Sequence, residues 1–379
     1  MKLSNMIFNQ IIVMNLILTF LGITLFIFYK NILPKKQWKY RYLFPFLVFY
    51  VFILNEIFFY FVGYDYLYPG GARTELLYSG NSVSEILTDD MNKMSSNLTE
   101  GYYPDKKKIP PEEAERNRFD EFIRLLDIKK GDAVLDAGCG HGGLVAYLRS
   151  KGFDAYGITI TKTQYKENIE EHGPYFFYGD YTHFQPELVN KFDHIILPGS
   201  LEHPFDGNFK LESSYQRKYR GMKKMFTMMK QYFKPASTKK KILVTCLHTN
   251  MKFKDSNELY ALSRYAGGIY PPIDRLSVAD SLKSAGYHVM INDDYSWHYY
   301  YATESDPNHF GNPFHMGIPF YVLLGWIYPM IVYQNLFARG AWMYQWDGKV
   351  HTPEHHNYSF EEDITKRPCT LFYTVAQIK

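Results

Sequence analysis

Cysteine is scarce in this chain. Three residues, Cys139, Cys246 and Cys369, stand far apart in 379. An odd, scattered set makes neither a disulfide framework nor a metal spacing, so no metal site is expected and a reducing compartment is. Charge of one sign is also missing: 42 Lys+Arg against 39 Asp+Glu leave a net +3. With no basic stripe carrying interleaved aromatics, nucleic acid is not an expected partner. Internal repeats and low-complexity tracts are absent as well, which excludes solenoids and fibrous arrays.

Apolar and aromatic residues are plentiful, at 46% and 18%. Met6 to Tyr29 is almost uninterruptedly apolar, and Leu43 to Val62 repeats that length with Asn55 and Glu56 inside. Each run is long enough to cross a bilayer. The first lacks the charged start and small-residue cleavage site of a signal peptide. Residues 1–63 therefore read as a two-helix transmembrane hairpin, followed by a polar linker and active-site lid over 64–112 and a catalytic domain over 113–379. The basic loop Lys30 to Tyr42 argues for placing that loop in the cytosol and both flanks opposite. Unpaired cysteines argue instead for a cytosolic domain, and a glycan at the sequon Asn97-Leu-Thr would obstruct the lid. A multi-pass membrane protein with its catalytic domain facing the cytosol, drawing lipid from the bilayer, is the expectation. The oligomeric state is not legible.

The centre of the chain is Asp132-Ala-Val-Leu-Asp-Ala-Gly-Cys-Gly-His-Gly-Gly-Leu144. It reads as a buried strand turning sharply into a helix over Gly143 to Ser150. Gly138, Gly140 and Gly142 let backbone approach a ligand where a Cβ would clash. Asp136, two residues before the first glycine, would repel a pyrophosphate but suits the ammonium of a methionine-like moiety. That combination points to S-adenosylmethionine rather than a dinucleotide.

Around it, a helix is expected over Glu112 to Leu126. Strands are expected at Ala155–Thr161, Tyr175–Tyr178, His194–Leu197, Lys241–Leu247, Gly286–Ile291 and Cys369–Gln377, with a helix from Lys162. Strands alternating with helices imply an α/β, Rossmann-like parallel sheet covered by helices on both faces. Ligand then sits at the carboxyl ends of its strands. Residues 312–345 read as an apolar helical insertion over the site mouth or at the membrane interface.

Several separated segments resemble the cyclopropane fatty acid synthase family, which includes mycolic acid cyclopropane synthases and sphingolipid C9-methyltransferases. Leu135 to Leu144 is similar to its glycine-rich loop, with His141 in place of the usual tryptophan. Gly157-Ile-Thr-Ile-Thr-Lys-Thr-Gln164 is similar to its second-strand motif, and Gly199-Ser-Leu-Glu-His203 to its Gly-x-x-Glu-His. Leu247-His-Thr249, Arg264 to Pro271, and Trp297-His-Tyr299 with Ala302-Thr303 follow in family order. The resemblance runs from about residue 85 to 305 and implies a class I S-adenosylmethionine-dependent methyltransferase acting on a lipid.

By that resemblance the cofactor contacts are Leu98, Thr99, Asp136, Gly138, Gly140, Gly142, Thr159, Ile160, Gln164, Asp180 and Tyr181. The reaction it implies is attack of an acyl double bond on the sulfonium methyl, leaving a carbocation whose proton passes to a bound bicarbonate. Glu202, His248 and a tyrosine, Tyr299 or Tyr300, would position that anion. The chain departs from the family at Leu98-Thr-Glu-Gly-Tyr102, where Glu100 replaces a cysteine or serine. Glu100 either turns away or replaces the anion as the base. Further departures are an insertion from Asp206 to Gln216 and an unmatched C-terminal segment. Alternatives from the same residues are a methyltransferase for a lipid amine head group or a sterol, and a membrane scaffold with a vestigial cofactor site.

Overall fold

The computed structural model describes residues 100–107, 109–205, 212–250, 272, 277–298, 363–367 and 369–378, all within the compact unit Arg73–Lys379. The expected hairpin over 1–63, the lid up to residue 99, the 312–345 insertion and the residues Leu98, Thr99, Tyr299 and Tyr300 lie outside them. Among the described residues no helix is long and apolar enough to cross a membrane.

The elements, in chain order, are α1 (Pro111–Leu126), β1 (Ala133–Ala137), α2 (Gly143–Ser150), β2 (Asp154–Thr159), α3 (Lys162–His172) and β3 (Phe176–Tyr178). They continue with β4 (His194–Pro198), α4 (Glu212–Met229), β5 (Lys241–Thr249), α5 (Val278–Ser284), β6 (His288–Asp294) and β7 (Cys369–Gln377). One seven-stranded sheet has the order β3-β2-β1-β4-β5-β7-β6. Every pairing from β3 across to β5 is parallel. The all-parallel expectation is corrected at the far edge. β7 slots between β5 and β6 and runs antiparallel to both. Antiparallel neighbours need no crossover connection, so β7 is free to run in the reverse sense beside β6.

Alternation along the central strands buries both faces, as a parallel sheet requires. Val134, Ile196 and Leu243 pack with Phe119, Phe122, Leu126, Val145 and Leu148 of α1 and α2. Leu135, Ile195, Ile242 and Val244 pack with Met222, Met225, Phe226, Val278 and Leu282 of α4 and α5. Asp136 and Thr245 share the parity of Val134 and Leu243, so both belong to the α1 face.

Candidate active site

The carboxyl end of β1 delivers the glycine loop. Gly138, Gly140 and Gly142 have φ of 94°, 52° and 75°, a region costly to residues with a Cβ. A Cβ on Gly138 would lie 2.8 Å from Ser200 Cβ. The amides of Gly138 and Cys139 donate to Ile158 O at 2.9 and 3.0 Å, which pins the loop to the end of β2. Asn168 of α3 donates to Gly140 O at 2.8 Å and steadies the turn. At the end of β2, Thr159 Oγ1 donates to Gln164 Oε1 at 2.9 Å, and Ile160 follows half-buried. Asp180 accepts from Thr182 N and Oγ1 at 2.9 and 2.7 Å, so its carboxylate organises its own turn. The Tyr181 hydroxyl reaches Ser200 O and Oγ at 3.1 Å, while Ser200 Oγ donates to Ala137 O at 3.2 Å. Tyr181 and Ser200 thereby close the wall beside Gly138.

Buried acids divide between the two ends of the sheet. At the amino ends, Asp132 accepts from Lys239 Nζ and Lys129 N and meets His194 Nε2, and Asp193 accepts from Lys234 Nζ and Ala133 N. Burial works to raise both carboxyls, but these bonds outweigh it and hold them below the usual range. At the carboxyl ends the balance reverses. Asp136 is 2% exposed, and its Oδ1 has no partner. Burial pushes it up to about 7, against the pull of Arg118. Glu202 is 3% exposed; its Oε1 accepts from Leu247 N at 2.7 Å and its Oε2 has no partner. Burial, reinforced by the nearby Glu100 charge, also pushes Glu202 to about 7 against the Leu247 bond. Unsatisfied buried carboxylate oxygens are uncommon, and their concentration at one end of the sheet marks the chemistry.

Glu100 enters from the segment ahead of α1 and is buried between β4 and β5. Arg118 Nη1 donates to its Oε2 at 3.2 Å, and Thr245 Oγ1 donates to the same oxygen at 3.1 Å. Glu100 Oε1 lies 2.9 Å from where a Gly199 Cβ would stand, so only glycine leaves it room. Glu100 does not turn away. The segment around it is fastened by Tyr103 N donating to His298 Nδ1 at 3.1 Å and by Tyr102 stacked on the same imidazole at 4.4 Å.

His248 is buried near the end of β5. Its Nδ1 donates to Cys246 O at 3.0 Å and its Nε2 accepts from Val278 N at 3.1 Å. Burial drives its pKa down to about 4. A neutral imidazole with both nitrogens engaged joins β5 to α5 and has no donor left for an anion.

The structure thus gathers Asp136, the glycines, Tyr181, Glu100 and Glu202 along the carboxyl edge of β1, β4 and β5. It also supplies residues that the sequence reading omits: Arg118, Asn168, Ser200 and Thr245. Arg118 had a signal, being a charge within the apolar stripe Ala114–Arg118–Phe122–Leu126 at helical spacing. The other three are small polar residues whose role depends on contacts distant in sequence. Among the described residues no group of three or more His, Cys, Asp and Glu is placed to hold a metal ion.

Comparison with known proteins bears on the fold and the family. Among solved structures, the cyclopropane synthase MmaA2 from Mycobacterium tuberculosis superposes with a TM-score of 0.55 at 14% identity, over 82% of this chain and 99% of that one. Mycolic acid cyclopropane synthase CmaA1, solved with SAH and CTAB, gives 0.54 at 15% identity over 83% and 100%. At such identities the likeness speaks to the fold. Cyclopropane-fatty-acyl-phospholipid synthase of Escherichia coli K12 is 29% identical over 134 residues, covering 34% of this chain and 32% of that protein. A probable fatty acid methyltransferase of Pseudomonas putida is 40% identical over 57 residues, 14% of each. The chain matches less than a third of the length of either curated relative. The family model for mycolic acid cyclopropane synthetase, in contrast, matches residues 85–310, more than half of the sequence, and the chain belongs to that family.

Proposed function

We propose that this protein is an S-adenosylmethionine-dependent methyltransferase that adds a methyl or methylene carbon to a double bond of a lipid acyl or sphingoid chain. The observation that carries the reading is the pair of buried, unpartnered carboxylate oxygens, Asp136 Oδ1 and Glu202 Oε2, at the same end of the sheet as the glycine cradle. One suits a bound ammonium and the other a departing proton.

The residues present fit S-adenosylmethionine. Asp136 would hold its ammonium, the loop Gly138 to Gly142 would take its backbone-like portion, and Thr159 with Gln164 at the end of β2 would face its sugar. Bound there, it supplies an electrophilic methyl group on a sulfonium. No aspartate or glutamate ends β2, so the ribose hydroxyls would meet neutral partners. When the substrate's π electrons capture a methyl group, a cation remains on the adjacent carbon. Glu100, hydrogen-bonded by Arg118 and Thr245, sets a carboxyl group opposite that charge, and Glu202 can take a proton near neutral pH. The apolar runs over 6–29 and 43–62 support a membrane hairpin, and the free, buried Cys139 and Cys246 support a catalytic domain on the cytosolic side.

A second reading is methylation of a lipid amine head group. It is favoured by the buried acids Glu100, Asp136 and Glu202, which outnumber the buried cations beside them, Arg118 and Lys218, and so suit a cationic product. A relative named as (S)-tetrahydroprotoberberine N-methyltransferase from Eschscholzia californica is 31% identical over 100 residues, 24% of this chain. Incubating the full-length chain and methyl-labelled S-adenosylmethionine with vesicles of unsaturated phosphatidylcholine or phosphatidylethanolamine separates the readings. Label in the acyl chain supports the first; label confined to the ethanolamine nitrogen supports the second.

A further inference from the structure

Helix α4 carries a charge inside its apolar stripe. Tyr215, Met222, Met225, Phe226 and Met229 recur at helical spacing and are buried. Lys218 stands in the same stripe and is 2% exposed. An ammonium is seldom buried unless its hydrogen bonds are met. Lys218 Nζ donates to Glu202 O at 3.2 Å and to Pro204 O at 2.9 Å. These carbonyls bracket His203 in the turn that follows β4, so one side chain ties α4 to the backbone that carries Glu202. The far end of Glu202 is held separately, where Oε1 accepts from Leu247 N of β5 at 2.7 Å. Anchored at both ends, Glu202 keeps Oε2 as its one unspent oxygen.

The charge of Lys218 acts on the same group. Glu202 is faced by Glu100 from the segment ahead of α1, by Tyr181 beyond β3, by Cys246 of β5 and by Lys218 of α4. Burial does most to raise Glu202 and Glu100 adds to it, whereas Lys218 pulls it back. The ammonium also lowers His248, further along β5.

We propose that Lys218 is a positioning residue for the methyl-transfer site, anchoring the turn that bears Glu202 through two backbone carbonyls and setting a buried positive charge behind its carboxyl group. The inference deepens the reading of Glu202 as proton acceptor and rests on it. Methionine at this position would preserve the packing of α4 but lose both hydrogen bonds and the charge. Arginine would restore the charge and a donor.

The test uses the purified full-length chain with Lys218→Met or Lys218→Arg, each made with Glu202 intact and with Glu202→Gln. Thermal unfolding is followed between about pH 5.5 and 8.5. The folded-state pKa of Glu202, about 7, lies above its ordinary 4.5, so the stability it contributes is lost as pH rises through about 7. Lys218→Met should carry that loss to higher pH, so its deficit in Tm grows above pH 7 when Glu202 is present and stays level when Gln replaces it. In single-turnover methyl transfer to unsaturated phospholipid, the acid limb should move up by about one pH unit in Lys218→Met. Lys218→Arg should bring it back, and the S-adenosylmethionine Kd should hold within about twofold in both. A merely structural lysine would lower Tm and rate alike at every pH and in both backgrounds, and that result would overturn the proposal. If Lys218→Met does not fold, as shown by circular dichroism, Lys218→Gln, which keeps a donor without the charge, makes the same comparison. If no lipid is methylated under any condition, the functional reading falls, while the unfolding arm still judges the coupling of Lys218 to Glu202.

Discussion

Replacing Asp136 by asparagine should stabilise the fold and weaken cofactor binding together. Burial displaces this carboxyl from 3.8 to about 7. Over that interval the folded state holds the proton more tightly than the unfolded chain, so stability falls as pH rises from 3.8 through about 7. At pH 7 the burden is about 4 kcal/mol, at ~1.4 kcal/mol per pH unit. The asparagine side chain keeps the shape without the charge, but its amide brings donors that cost ~1–3 kcal/mol where unpaired. The net gain expected for Asp136→Asn is therefore about 1–3 kcal/mol at pH 7, and about 2 kcal/mol less at pH 5, where the wild-type carboxyl is already protonated in the fold. Loss of the charge-assisted bond to an ammonium should raise the S-adenosylmethionine Kd by ~2–3 kcal/mol, roughly 30- to 150-fold. Thermal unfolding of wild type and variant in parallel at the two pH values, with calorimetric titration of the cofactor, measures both. A stability difference independent of pH would refute the titration argument. Unchanged affinity in a folded variant would refute the assignment of Asp136.

Other expectations follow from the same geometry. Wild-type affinity for S-adenosylmethionine should climb as pH rises toward about 7, by at most about tenfold per pH unit, because Asp136 must shed its proton to pair; a flat profile between pH 5.5 and 7 would count against it. Glu202→Gln should lower kcat by ~10²-fold or more with cofactor affinity nearly intact, read by single-turnover assay and calorimetry. Gly138→Ala forces φ of 94° on a residue with a Cβ 2.8 Å from Ser200, and should cost about 1–3 kcal/mol in thermal unfolding. His248 is a base whose folded pKa, about 4, lies below its ordinary 6.5, so the stability it contributes is lost as pH falls from 6.5 through about 4. His248→Gln should flatten that limb of the pH–stability curve, and an unaltered limb would show that another group produces it.

How far the sequence could be read depended on the range of the interactions involved. Helix α2 lies over Gly143–Ser150 and β7 over Cys369–Gln377, as local glycine and apolar patterns indicate. β5 runs two residues past the expected Leu247, because His248 and Thr249 pair with Thr370 and Cys369 more than 100 residues away. The antiparallel entry of β7 was illegible for the same reason. Asp136 and the glycines were legible because a tight turn beside a ligand restricts residue type within a few positions. Arg118 was missed because a lone charge in an apolar helix face makes sense only once its partner Glu100 is known to lie across from it. His248 also depends on a contact distant in sequence. Its neighbours in sequence resemble an active-site motif, but the Val278 amide that occupies Nε2 arrives from α5, 30 residues on.

The central claim is methyl transfer onto a lipid double bond. Its most direct test is mass spectrometry of total lipids from cells expressing the full-length chain and fed methyl-deuterated methionine. The expected result is deuterium-bearing carbon located by fragmentation within formerly unsaturated acyl or sphingoid chains, absent from cells expressing Glu202→Gln. Label found on head groups alone, or no label beyond that of cells lacking the protein, would contradict it.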